Sequence, residues 1–118
     1  MTSEQLIALW YPENLEDDFV NKLRIQSRFD ELQFRLLVSA CRAWLSVTPR
    51  AAKVDRKVAD VFVTDVPMAA DLMRHPNFIE ISRPQDISRD CHEHAMNRNA
   101  HALDEVAESY RKMDYRVV

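Results

Sequence analysis

Residues 90–101 read DCHEHAMNRNAH, a cysteine and three histidines beside carboxylates. Thiolate, imidazole and carboxylate are the usual ligands of zinc. Asp90, Cys91, Glu93 and His94 also hold the raw material of an acid, a nucleophile and a base. The spacing favours neither chemistry. On a helix turning about 100° per residue, with Cys91 at zero, His94 and His101 fall at about 300° and about 280°, and His92 at about 100°. His92 and His94 thus point to nearly opposite sides. His94 and His101 share a side but lie about 10.5 Å apart along the axis. A chelating helical pair is one turn apart, as in HExxH. Only Cys91 and His94 have that reach, and the remaining ligands of a tetrahedral site are not supplied. No orienting residue or oxyanion donor accompanies the thiol. No catalytic, cofactor-binding or metal-binding residue is therefore assigned. His94 and His101 are expected on solvated surface and Cys91 in the core.

Composition narrows the chemistry further. The 118 residues suffice for one domain (1–118) that buries its own core. The net charge of −3 offers no basic field to attract nucleic acid or anionic membrane. There is no glycine at all. Without it there is no P-loop, no dinucleotide fingerprint and no GxSxG nucleophile elbow, and tight hairpins lose their preferred turns. The opening MTSEQLIALWYPENLEDD lacks a basic segment before a long apolar run, so it does not read as a secretory signal. No stretch approaches the length of apolar residues that a membrane span needs. The expected setting is cytoplasmic, with Cys41 and Cys91 as free thiols.

Helices remain, ended by Pro and Asn. A first helix fits Ser3–Trp10, interrupted by Pro12. Asn14 caps LEDDFVNKLRIQ, in which Leu15, Phe19 and Leu23 recur at helical spacing. FDELQFRLLVSACRAWLSV carries a stripe of Phe29, Leu32, Leu36, Ala40, Ala43, Trp44 and Val47, which predicts a long helix. Thr48 and Pro49 precede RAAKVDRKVADVFV, with Val54, Val58, Val61 and Phe62 on one side and Arg50, Lys53 and Lys57 on another. Asp65 and Pro67 open a shorter helix that His75-Pro76 closes. FIEIS alternates and predicts at most one short strand near 78–82, or extended linker. The last helix runs from about Pro84 to Met113. The fold class is all-α, a small bundle with a long C-terminal helix.

That last helix has too much apolar circumference. Ile87, Cys91, Ala95, Ala102, Val106 and Met113 fill one arc; His92, Met96, Asn99, Leu103, Ala107 and Tyr110 fill a second. Together they span about 200°, where a helix on one core needs little more than about 100°. Thirty residues would also extend about 45 Å, so the helix either breaks near Asn97–Asn99 or protrudes. The first arc, of small residues, reads as core. The second has the composition of an interface, which makes His92, Met96, Asn99, Leu103 and Tyr110 the expected partner-binding residues, covered by a copy of the chain or by a target. A neighbouring helix of the same chain covering both arcs is the competing reading.

These features indicate a non-catalytic regulator acting through protein contacts, as a homodimer. A helix–turn–helix-like nucleic-acid-binding protein using the 49–63 helix is the alternative, since Arg50, Lys53 and Lys57 could meet phosphates. Asp55 and Asp60 dilute that strip. In size, helical organisation and arginine-rich segments such as SRFDELQFRLLVSACRAWL, the chain resembles the QslA-like antiactivators of quorum sensing. The resemblance implies an all-helical protein that binds a LuxR-type transcription factor and blocks its dimerisation or DNA binding, with no cofactor. It transfers no binding residue.

Overall fold

Why this chain is helical is visible at its helix starts, where polar side chains satisfy the amides that a first turn leaves open. Thr2 and Gln5 form a reciprocal capping box on α1 (Ser3–Trp10). Asp18 caps α2 (Phe19–Ile25), Asp30 caps α3 (Glu31–Val47), and Asp55 caps α4 (Arg56–Asp60). Ser88 caps α7 (Arg89–Arg111). Between them lie α5 (Val66–Arg74) and α6 (Pro76–Ser82), the latter capped by the His75 imidazole. The computed structural model describes residues 1–118.

Residues 56–74 form one continuous helical run rather than two separate helices. A π-turn, Val61–Asp65, joins α4 to α5. Its cause is Pro67, which lacks an amide hydrogen and whose ring would strike the carbonyl four residues earlier in a regular α-helix. Widening the turn, with the Val66 amide donating to the Val61 carbonyl, removes the clash. Helix thus begins at Arg56, not at Pro49. Lys53–Val54 is a two-residue strand, β1, paired in parallel with β2 (Arg116–Val117). FIEIS is the body of α6, not a strand. Alternation over five residues does not distinguish the two, and burial of the adjacent Phe78 and Ile79 is what a helix gives.

Lacking glycine, the chain places Ser27, Ala51 and Asp114 in the left-handed region, at φ of 48°, 61° and 51°. Each ends or links a helix where a left-handed residue reverses direction. Ala51 and Asp114 lie at one place: the Ala51 amide donates to the Met113 carbonyl at 2.8 Å, and Arg50 pairs with Asp114 at 2.6 Å.

One contiguous core of 27 buried residues runs through the molecule, which measures 45 × 29 × 18 Å. Its centre is α7, packed most extensively on α5 and flanked by α3 and α6. Ala69, Ala70 and Ala100 are fully buried on α5 and α7, and short side chains let two helix axes approach. Helix α7 is continuous through Asn97–Asn99. Its 23 residues fit inside the 45 Å long axis, so no part need protrude. Aromatic clusters fill the two ends: Trp10, Phe19, Phe29 and Phe34 in one, Trp44, Phe62, Tyr110 and Tyr115 in the other. No helix is long and apolar enough to cross a membrane.

Candidate functional site

Helix α3 is anchored at both ends. Asp30 Oδ1 accepts from the Gln33 amide at 3.0 Å. Lys22, almost wholly buried, donates to Asp30 at 3.1 Å and to the Gln33 side chain at 2.8 Å. The Gln33 amide, then the Lys22 ammonium, hold the Asp30 carboxyl below the usual range. Further along, Trp44 Nε1 donates to Ser3 Oγ at 3.1 Å, tying α3 to α1. These contacts fix which side of α3 faces in.

The inward side takes in only part of the long stripe: Ala40 and Trp44 face the core and Phe29 packs on it, while Leu32, Leu36 and Val47 do not. Phe34, Leu37, Val38, Ala40, Cys41 and Trp44 are buried. Leu32, Leu36 and Val47 are 78%, 52% and 64% exposed. With Leu32 at zero, Leu36, Ala43 and Val47 fall within about 60° of it. They form one outward apolar stripe about 22 Å long. Arg35 and Arg42 border it on one side, at about 300° and about 280°. Arg35 meets Glu31 at 2.8 Å, an exposed pair worth only tenths of a kcal/mol, about 0.3–0.5. Arg42 has no ion-pair partner.

Beside Arg35 a cleft of about 540 Å³ opens between α3 and α7. Phe29, Phe34 and Met96 supply apolar wall; Arg98 and Asn99 stand on the α7 side. His92, 6% exposed, sets its Nε2 2.8 Å from Ser82 Oγ. Burial, then the Arg83 charge, holds this imidazole below its ordinary pKa. A hydroxyl–imidazole pair is a component of nucleophilic catalysis. Here Ser82 is the last residue of α6, a helix end that presents carbonyls rather than the amide donors an oxyanion requires. The pair ties α6 to α7.

The partner-binding residues expected on α7 are mostly interior. Met96 and Leu103 are 3% and 1% exposed. His92 and Tyr110 are buried too, and Asn99 is half-buried. The second arc is therefore the core stripe, covered by the chain's own α3, α5 and α6, and it is not a free docking face. His92, Met96 and Asn99 do meet in the α3–α7 cleft, whereas Leu103 is sealed and Tyr110 lies at the far end. Of the first arc, Val106 is buried, Ala95 and Ala102 are half-buried, and Cys91 is exposed, not core. One stripe about 120° wide is all that α7 buries, as an ordinary core helix does.

The cysteine–histidine segment does not converge. His94 and Cys91 are exposed, His101 pairs with Glu105 at 3.0 Å, and Glu93 with Arg89 at 2.7 Å. No three His, Cys, Asp or Glu side chains come together as a metal site would require. The basic strip of the 49–63 segment is also dispersed. Arg50 sits in a turn against Asp114, Lys53 is in β1, and Lys57 is in α4. That removes the continuous recognition helix on which the nucleic-acid reading relied.

Leu32, Leu36 and Arg42 are the surface residues that the sequence reading missed. The signal was present: α3 has two apolar stripes at helical spacing, and only one can face the core. No family model, no curated protein and no solved structure matches the chain.

Proposed function

We propose that this protein is a non-catalytic regulator that binds another protein through the outer face of α3. The observation that carries the reading is the exposure of Leu32, Leu36 and Val47 along a single helix face. Single exposed leucines are ordinary, but several large apolar side chains along one helix face beside the unpaired Arg42 give the anchor pattern of helix-to-groove recognition. The partner it fits presents an apolar strip bordered by carboxylates, because Arg35 and Arg42 line one edge.

A second copy is the poorer occupant. An antiparallel two-fold pairing of α3 sets Arg35 and Arg42 of one chain against the same arginines of the other, and like charges at such an edge oppose association. The homodimer expected from sequence relied on the α7 face, which is buried. The resemblance to QslA-like antiactivators supplies the first target to try, a LuxR-type transcription factor. Occupying that regulator's dimerisation or DNA-binding surface would inhibit it by mass action, with no reaction.

A titration of a purified LuxR-type regulator against the wild type and the Leu32→Glu/Leu36→Glu variant tests the reading, with each protein's oligomeric mass measured alongside. The expected result is saturable binding that the variant weakens at least tenfold. Binding by the variant as tight as by the wild type rejects the α3 face, and no binding by the wild type rejects this class of target. A wild-type dimer that the variant splits assigns the face to self-association instead.

A further inference from the structure

At the end of the molecule away from the α3–α7 cleft, a separate cavity of about 400 Å³ lies between the π-turn, the last turns of α7 and Tyr115. That volume is within the range of small-molecule sites. Phe62, Val63, Pro67, Ala107, Tyr110 and Tyr115 line it, so its walls are aliphatic and aromatic. The widened turn forced by Pro67 places Phe62 and Val63 on its edge. Phe62 and Tyr110 stack at 4.6 Å with an interplanar angle of 10°, which makes that wall flat and rigid.

Tyr110 supplies a polar group to this cavity. Tyr110 is 8% exposed as a residue, and its hydroxyl, which has no partner in the protein, is still reached by water. The neighbouring Tyr115 hydroxyl, by contrast, donates to the Thr48 carbonyl at 2.9 Å. An acceptor on a bound molecule would take the place of water on the free Tyr110 donor. Burial, then the neighbouring Tyr115, raises the Tyr110 pKa, so the phenol stays protonated and acts as a donor. The charged residues at the rim are already neutralised: Arg111 is paired with Glu108, and Asp114 with Arg50. A charged ligand would find no unpaired counter-ion at the rim.

We propose that this cavity binds a small, neutral, flat aromatic molecule carrying one hydrogen-bond acceptor, held by the Tyr110 hydroxyl against the Phe62–Tyr115 walls. The site is independent of the α3 face and stands or falls separately from it.

The neutral naphthyl ketone prodan is a suitable probe, since it has a bicyclic ring, a carbonyl acceptor and an environment-sensitive emission. Titrated into the whole protein, it is expected to bind saturably at one site with a blue-shifted emission. Tyr110→Phe keeps the ring and removes the donor, and should weaken binding by about threefold to tenfold, the effect of one hydrogen bond. Val63→Arg changes an exposed residue at the mouth and should weaken it further without unfolding the chain. Leu36→Glu, on the other apolar surface, should leave binding unchanged. The proposal is overturned if the wild type shows no saturable binding, if Tyr110→Phe binds as tightly as the wild type, or if Leu36→Glu weakens binding as much as the cavity variants do.

Discussion

Helices α3 and α7 are both apolar around more of their circumference than one buried stripe requires, and the fold disposes of the excess in opposite ways. Helix α7 is central, with α3, α5 and α6 around it. It buries Met96, Ala100, Leu103, Val106 and Tyr110, and its other side ends in half-buried alanines and the exposed Cys91. Helix α3 is peripheral. It buries Phe34, Leu37, Val38, Cys41 and Trp44, and still leaves Leu32, Leu36 and Val47 in water. Exposing an alanine forfeits little, whereas burying a leucine is worth about 1.5–3 kcal/mol. The excess on α7 is thus cheap to leave uncovered, and that on α3 is a standing invitation to another surface. Width of an apolar arc is a weaker guide to an interface than the size of the side chains on its outer half.

The contrast breaks most visibly at Leu103. Leu103→Glu places a carboxylate in the sealed centre and should lower unfolding free energy by about 4 kcal/mol or more, or prevent folding. Urea denaturation measures it, and a change below about 1 kcal/mol would show that α7 is less enclosed than its burial indicates. The Leu32→Glu/Leu36→Glu pair should do the reverse. Its unfolding free energy should stay within about 0.5 kcal/mol of the wild type while affinity for a partner falls tenfold. A large stability loss there would place these leucines in the fold's own packing.

Acid titration sharpens the same contrast. The folded-state pKa of His92 is lowered from 6.5, by burial first and then by Arg83. The unfolded chain therefore takes up this proton more readily than the folded one. The stabilising contribution of neutral His92 is complete above about pH 6.5 and is lost as pH falls through the folded value. His92→Gln, which can still bond Ser82, should flatten that part of the stability curve. Variants on α3, which carries no histidine, should leave its slope unchanged. Asp30 gives a second, more acidic window. The Gln33 amide and Lys22 lower its pKa, so its contribution persists above the ordinary carboxylate range and is lost only as pH drops through the depressed value.

The smallest effect is expected at Ala51, remote from both faces. An alanine in the left-handed region costs about 1–2 kcal/mol, part of which glycine's greater unfolded entropy offsets. Ala51→Gly should raise stability by about 0.5 kcal/mol, read as a small upward shift in the thermal midpoint. A fall would mean that the Ala51 methyl is used in packing.

Helix boundaries written in side-chain chemistry were legible in the sequence. Thr2 and Asp30 mark starts because an oxygen must accept from open amides, whereas the last helix begins at Arg89 behind its Ser88 cap and not at Pro84. Directions that depend on neighbours were not. Nothing in SRFDELQFRLLVSACRAWLSV says whether Phe34 or Leu36 faces in; Trp44 bonding to Ser3 and Lys22 holding Asp30 decide it, and both are contacts across the chain. The same holds for α7, where Val106 of the expected core arc is buried but Cys91 is not, and the arc expected to meet a partner supplies Met96 and Leu103 to the core. The join of α4 to α5 was concealed by Pro67, which ordinarily ends a helix and here is absorbed by a π-turn. The Tyr110 cavity depends on Phe62, Tyr110 and Tyr115 meeting, which no local spacing reveals.

The two-residue parallel pairing of β1 with β2 joins Lys53 to Arg116 and Val54 to Val117, positions just over half the chain apart. So short a ladder cannot nucleate; the chain entropy of closing that loop is far larger than its few hydrogen bonds return. It must therefore clasp last, after α4 to α7 have stacked and delivered both ends to one spot. Exchange of the Arg116 and Val118 amides, which bond to the Ala52 and Val54 carbonyls at 3.0 Å, would mark the final moment of assembly and the first of its undoing.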